Sequence, residues 1–291
     1  MILTDTEMPV DRDTSPPHQR PPAVTRNGRS IFGELWRGTR VVLPGVVALA
    51  IVFGGWQIGV DASHVSPIEL VAPSAVFAEL WRARGAFTSN AWVTLQEAFW
   101  GFLVAFGIAI VAAALMAHSK IMDRALAPLV VLLQVTPVLA LAPPLVLWLG
   151  FGPQPKIIVA ALITFVPLVV NATVGFRAID PATLEVLRSV NATRTEIFFR
   201  LRVPHSVPYV VAAVRVCVGL ALIGAVVAEF IGTGASAGLG FIMLYATQHD
   251  LTSELWAAIF TLILLGIVLV GFVQVAGSRL TRWADARPAD H

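Results

Sequence analysis

Long apolar runs separated by short polar stretches dominate the chain. Six stand out: Val41–Val60, Ala91–Ala117, Leu126–Gly150, Lys156–Phe176, Val207–Ile231 and Leu255–Gly277. A helix needs about 20 mostly apolar residues to cross a bilayer, and each run supplies them. The first begins too late, and precedes too much further membrane sequence, to be a cleaved signal peptide. The pattern predicts an all-α membrane protein with six transmembrane helices. It divides the chain into an N-terminal tail over 1–40, a membrane domain over 41–277 and a C-terminal tail over 278–291. Within the first tail, Met1–Gly28 carries Ser15-Pro16-Pro17 and Pro21-Pro22 among charges and reads as disordered.

Composition sharpens this. The chain is 57% hydrophobic and 13% charged, against about 45–50% and 25% in soluble domains. A soluble fold would have too little polar surface, so the solvent is lipid. One cysteine, Cys217, excludes an internal disulfide framework and a multi-cysteine metal cluster. No cofactor is expected, and a net charge of +2 gives no reason to expect nucleic acid.

The placement of charge gives an orientation. With the N-terminus inside, sixteen of the twenty lysines and arginines fall on cytoplasmic segments. Arg82, Arg84 and Lys156 fall outside, and Arg215 lies within a span. That bias predicts cytoplasmic termini at both ends. Trp36, Trp56, Trp92, Trp148, Trp256 and Trp283 lie near span ends, where an aromatic belt would put them.

Two polar segments between spans have internal pattern. In the outer loop, Pro73 to Trp81 repeats Val76, Phe77, Leu80 and Trp81 at helical spacing. This predicts a short amphipathic helix, either at the outer interface or packed under the bundle. The cytoplasmic loop over 177–206 holds two helix starts. Asp180-Pro181 is an N-cap with proline at the first helical position. Thr193 with Glu196 forms a capping box. Between them Asn191 tolerates the left-handed conformation at which a helix can end, and Pro204 is expected to close the second helix. The loop is thus two short helices with a sharp bend. Five arginines on such an element could suggest DNA binding, but tethered between two spans it has little room to reach a groove.

These residues also carry a family resemblance. Glu185-Val186-Leu187, three residues, Asn191, nine residues, then Leu201-Arg202-Val203-Pro204 resembles the signature loop of binding-protein-dependent ABC-importer permeases. That pattern reads Glu-Ala-Ala, three residues, Gly, nine residues, Ile, one residue, Leu-Pro. Asn191 stands at the glycine, and asparagine is the next best residue for a left-handed bend. The resemblance extends through Pro137 to Pro143, Leu147 to Gly152, Ala228-Glu229 and Gly238-Leu239-Gly240. It points to the nitrate/sulfonate/taurine branch of type I importers, which also includes permeases for pyrimidine vitamin precursors and aromatic acids.

The resemblance implies a permease subunit in a prokaryotic cell membrane, not itself an enzyme. Two copies would form the pathway, two cytoplasmic ABC ATPase subunits would drive it, and an extracytoplasmic binding protein would deliver the solute. A small organic anion such as a sulfonate is the first expectation for that solute, a pyrimidine or aromatic-acid nutrient the second. The loop, with Asp180, Glu185, Asn191, Ala192, Thr193, Glu196 and Pro204, would be the coupling element that docks on the ATPase. The chain lacks a Gly-x-x-x-x-Gly-Lys-[Ser/Thr] phosphate loop. Its glycine cluster from Gly232 to Gly240 has no such lysine and reads as a tight outer turn.

Ionisable groups and prolines within spans are the remaining candidates. Glu97, Arg215 and Glu229 are expensive in a bilayer, and so are paired or line the pathway. Glu229 lies fourteen residues beyond Arg215, about 21 Å along a helix and within about 40° of the same face. The two cannot pair directly, and one stripe carries both. Gln134, Asn171 and Gln274 suit interhelical hydrogen bonds. Pro137, Pro143 and Pro144 in the third span and Pro167 in the fourth each remove a backbone donor and bend the helix. The third span is then a candidate pathway wall, or its kinks merely shape packing. Glu97, Gln134, Pro137, Arg215 and Glu229 form the pathway set. A secondary transporter using Glu97 and Glu229 as ion carriers is the competing reading; transport by the chain alone under an ion gradient would distinguish it.

Overall fold

A computed structural model describes residues 31–63, 70–231 and 237–285. Among these residues eleven α-helices are ordered α1 (Ile31–Ser63), α2 (Pro73–Arg82), α3 (Arg84–His118), α4 (Lys120–Val135), α5 (Ala142–Leu149), α6 (Pro153–Arg177), α7 (Pro181–Ser189), α8 (Arg194–Ile197), α9 (Val203–Phe230), α10 (Leu239–Gln248) and α11 (Thr252–Asp285). The described residues contain no strand. The chain divides into two units at Val52/Phe53, within α1. The first unit contributes the helical stretch 31–52, and the second holds the remaining helices.

Small residues let the central helices approach. Ala105, Ala109 and Ala113 recur at every fourth position on α3 and are fully buried, one turn on from Gly101. A Cβ at Gly101 would lie 2.6 Å from the Ala160 Cβ of α6. At the same residue, a Cβ at Gly224 of α9 would lie 2.8 Å from the Ala160 Cα. Helices α3, α6 and α9 thus meet closely at Ala160. With no hydrophobic driving force between helices in lipid, this close backbone packing is what holds a bundle together. Leu168, Val169, Ala172 and Cys217 complete the central core, and the Cys217 thiol points at the Thr164 carbonyl at 3.7 Å. A second cluster joins Val76 and Phe87 to Leu239 of α10 and to Ala257 and Ala258 of α11.

Among the described residues, five helices are long and apolar enough to span a bilayer, and a sixth span is broken. The expected continuous span over Leu126–Gly150 is instead α4 followed by a 3-10 turn (Val138–Leu141) and α5, with an 89° bend between the halves. Pro137 sits at the break, and Pro143 and Pro144 start the second half, where their missing amide protons cost nothing.

Other boundaries also differ from expectation. Helix α1 begins at Ile31, so residues 31–40 of the expected tail are helical, and α11 runs beyond Gly277 to Asp285. The disordered reading of Met1–Gly28 lies outside the described residues. Helix α2 packs inward through Val76, while Phe77 and Trp81 are exposed, so the four apolar residues do not share one buried face. Pro204 does not end its helix. Helix α8 continues through a π-helical stretch (Phe198–Arg202) into α9, with the Val203 amide donating to the Phe198 carbonyl. The wider turn takes up the ring and the missing donor of Pro204, which would otherwise break the ladder.

Candidate functional site

At the end of the bundle where α3 and α6 begin, four buried polar side chains from three helices meet. Thr94, Glu97, Lys156 and Glu229 are each at most 4% exposed. The Lys156 ammonium donates to Glu97 Oε1 at 2.6 Å. Glu229 accepts from the Thr94 hydroxyl at 2.8 Å and from the Gly240 amide at 2.6 Å. The two carboxyl groups also contact each other, and Glu97 Oε2 has no donor among the described residues. The ammonium pairs with Glu97, whereas Glu229 is held by a hydroxyl and a backbone amide.

The start of α10 is tied to this cluster. The amides of Gly238, Leu239 and Gly240 donate to Asn90 Oδ1 at 2.6 Å, Thr94 Oγ1 at 2.9 Å and Glu229 Oε2 at 2.6 Å. Three first-turn donors without helical partners are thus satisfied by α3 and α9, with a carboxylate at the positive end of the helix dipole. Gly238 has φ +118°, and a Cβ at Gly238 or Gly240 would collide with the Glu229 side chain. Both glycines are required by contact with that carboxylate. The tight turn expected over Gly232–Gly240 is described only from Ala237 onwards. Beside the cluster lies a cavity of about 580 Å³ lined by Gln96, Glu97, Trp100, Phe151 and Lys156.

The opposite end of α3 carries the bent helical pair. Asp180 caps α7, accepting from the amides of Ala182 and Thr183. The Ala192 amide returns to the Leu187 carbonyl and the Asn191 amide to the Arg188 carbonyl, with Asn191 at φ 56°. This is a Schellman ending, in which asparagine occupies the position usually given to glycine. Thr193 and Glu196 form a reciprocal capping box. Helix α7 with its cap has two faces: Leu184 and Arg188 line a cavity against the ends of α3 and α6, whereas Val186 and the C-cap residue Val190 on the other side are 65% and 68% exposed.

The structure brings only part of the expected pathway set together. Glu97 and Glu229 meet. Arg215 does not join them; it packs against α11, where a Cβ at Gly277 would lie 3.3 Å from its Nε. That nitrogen is buried without a hydrogen-bond partner among the described residues. Gln134 and Pro137 are exposed on the broken span. Asn171 donates to the Pro167 carbonyl of its own helix at 2.8 Å rather than across helices. Lys156, Thr94 and Asn90 were missed. Lys156 reads in sequence as an outer-loop charge, although a lone lysine and a lone glutamate in neighbouring spans are a pairing signal in lipid.

A multi-pass helical bundle with a broken span and a capped, bent helical pair at one end is the architecture of a membrane permease. The chain belongs to the family of binding-protein-dependent transport system inner membrane components, whose pattern it matches over residues 105–282. The riboflavin transport system permease protein RibX of Chloroflexus aurantiacus is 33% identical over 83% of this chain and 89% of its own length. The formylaminopyrimidine transport permease protein ThiX of Halalkalibacterium halodurans is 34% identical over 75% and 84%. The putative aliphatic sulfonates transport permease protein SsuC of Bacillus subtilis is 28% identical over 84% and 88%. Among solved structures, an inward-facing MetNI methionine ABC transporter chain aligns with a TM-score of 0.56 at 21% identity. It covers 71% of this chain and 99% of that one, a likeness of fold. The protein is therefore a multi-pass inner-membrane permease subunit of an ABC importer, as the signature loop implied.

Proposed function

We propose that the α7–bend–α8 element is where two cytoplasmic ATPase subunits drive the permease. A second copy of the chain completes the pathway, and an extracytoplasmic binding protein delivers the solute. The observation that carries this reading is the two-faced α7. Its exposed apolar side, Val186 and Val190 beside Glu185, lies outside the bundle on a helix fixed at both ends. A packed linker would have no use for such a face. This reading puts the α7–α8 end and both termini in the cytoplasm, in line with the arginine bias, and the Glu97 end outside.

For the solute, relatives named for riboflavin and formylaminopyrimidine transport are 33% and 34% identical. Those named for aliphatic sulfonates and taurine are 28% and 25% identical. The higher identities favour a nitrogen-heterocyclic nutrient; a small sulfonate is the second reading. Binding of both classes to the cognate solute-binding protein, measured by calorimetry, decides between them.

The coupling reading is tested in the reconstituted complex. Glu185→Lys should weaken ATPase pull-down by reversing one interface charge. Asn191→Val should abolish most solute-stimulated ATP hydrolysis, because a β-branched residue resists φ near +56°. Normal pull-down and normal transport in both variants would remove this element from the coupling role. Mass measurement of the intact complex showing two different permease chains would refute the homodimer.

A further inference from the structure

Between the coupling pair and the bundle lies a cavity of about 1040 Å³ with a lopsided charge. Lys120, Arg177, Arg188, Arg194 and Arg202 line it, with Asp123 as the only acid. Asp123 is already engaged, 2.6 Å from Arg177. Arg177 and Arg202 also donate to the Met116 and Ala117 carbonyls at the end of α3, at 2.8 and 2.6 Å, which fixes their guanidinium groups at the cavity wall. Arg202 lies within electrostatic reach of both Arg177 and Arg188. Lys120, Arg188 and Arg194 form no ion pair among the described residues. The acids of the coupling element, Asp180, Glu185 and Glu196, do not line the cavity. Like charges gathered this closely repel unless an anion sits among them.

The surroundings identify the anion. Ile121 lies at the cavity wall and is 74% exposed. Leu132 and Val135 continue from it along α4, within about 40° of one face, and are 59% and 72% exposed. An apolar strip thus leads from the basic cavity along a membrane helix. Free phosphate has no use for that strip, whereas acyl chains would cover it. Basic pockets at the cytoplasmic end of membrane helices suit anionic lipid headgroups, and arginine forks match phosphate oxygens.

We propose that this cavity binds the phosphate of an anionic phospholipid headgroup, with its acyl chains along α4, and so braces the coupling pair against the ends of α3 and α6. The proposal rests on the reading that this end faces the cytoplasm. Its test uses the full-length permease without the ATPase, so its outcome is separate from the coupling role.

Native mass spectrometry of the purified permease would be titrated with phosphatidylglycerol and with phosphatidylcholine of equal chain length. The wild type should retain phosphatidylglycerol preferentially. Arg188→Gln with Arg194→Gln should weaken that binding on the order of twentyfold, about fivefold for each arginine removed. Arg188→Lys with Arg194→Lys should keep most of the preference, and Arg82→Gln, at the other end, should leave it unchanged. Equal preference in the wild type and the double Gln variant would overturn the site, provided both melt alike. Inorganic phosphate is the second probe. If it binds at these arginines and phosphatidylglycerol does not, the lipid assignment fails.

Discussion

The two ends of α3 handle charge in opposite ways. Near its start, Glu97 is buried against Lys156 and Glu229, with the donors of α10 closing around them. Near its finish, about 30 Å further along the helix axis, five basic groups stand around an open cavity with one acid. Buried charge is tolerated only where it is paired and hydrogen-bonded, so the first end is a joint whose parts depend on one another. Exposed charge needs no internal partner, so the second end can be shaped to meet something outside the chain. Damage to the first end should therefore appear as lost stability, and damage to the second as lost function with the fold intact.

The largest effect is expected at Lys156. Lys156→Met leaves Glu97 buried without its ammonium, and breaking such a pair from one side costs about 3–5 kcal/mol. Thermal unfolding of the detergent-solubilised permease should show a large drop. Glu97→Gln combined with Lys156→Met should recover much of it, because neither charge remains. A Lys156→Met protein that melts like the wild type would show that the pair is not a brace, and the contrast between the ends would collapse.

Gly240→Ala comes next. A Cβ there would meet the Val226 carbonyl and lie 2.7 Å from the Glu229 Cβ, both in well-packed surroundings. Overpacking of this kind costs about 1–3 kcal/mol. Gly107→Ala on α3, where a Cβ would meet nothing within 4 Å, is the matched control and should be neutral or slightly stabilising. Equal melting of the two variants would mean that α10 can shift away from Glu229 at no cost.

What could be read from the sequence divides along the same line. The caps at Asp180 and Thr193 and the bend at Asn191 are local chemistry, set by residues within five positions of one another. They appear in the structure as the spacing requires. The Glu97–Lys156 pair joins residues 59 positions apart, and Thr94–Glu229 joins residues 135 apart. No periodicity reports such contacts; only the expense of charge in lipid hinted that partners must exist. The misread end at Pro204 was also a local rule, overridden when the π-helical stretch accommodated the proline. The 89° break in the third span exceeded the bend its prolines suggested, because a helix that restarts on Pro143 and Pro144 needs no continuity with the one before it.

The smallest effect belongs to the other end, and it tests the comparison most finely. In Thr193→Ala the Glu196 amide loses its acceptor and the Glu196 carboxylate loses a hydroxyl donor, while the Thr193 amide keeps its bond to Glu196. Losing a threonine cap costs about 1 kcal/mol in helix stability. Helix α8 is exposed apart from Ile197, so that loss should stay local. The melting temperature should hardly move, while amide hydrogen exchange over 194–197 should speed up roughly fivefold, the factor that 1 kcal/mol gives for local opening. Glu196→Gln should behave more mildly, since its amide oxygen can still accept from Thr193. If the element transmits force to an ATPase, solute-stimulated ATP hydrolysis should fall in Thr193→Ala by a factor comparable to the gain in exchange. A drop in melting temperature as large as that of Gly240→Ala would instead make this end part of the joint, and the division between a braced end and a docking end would fail.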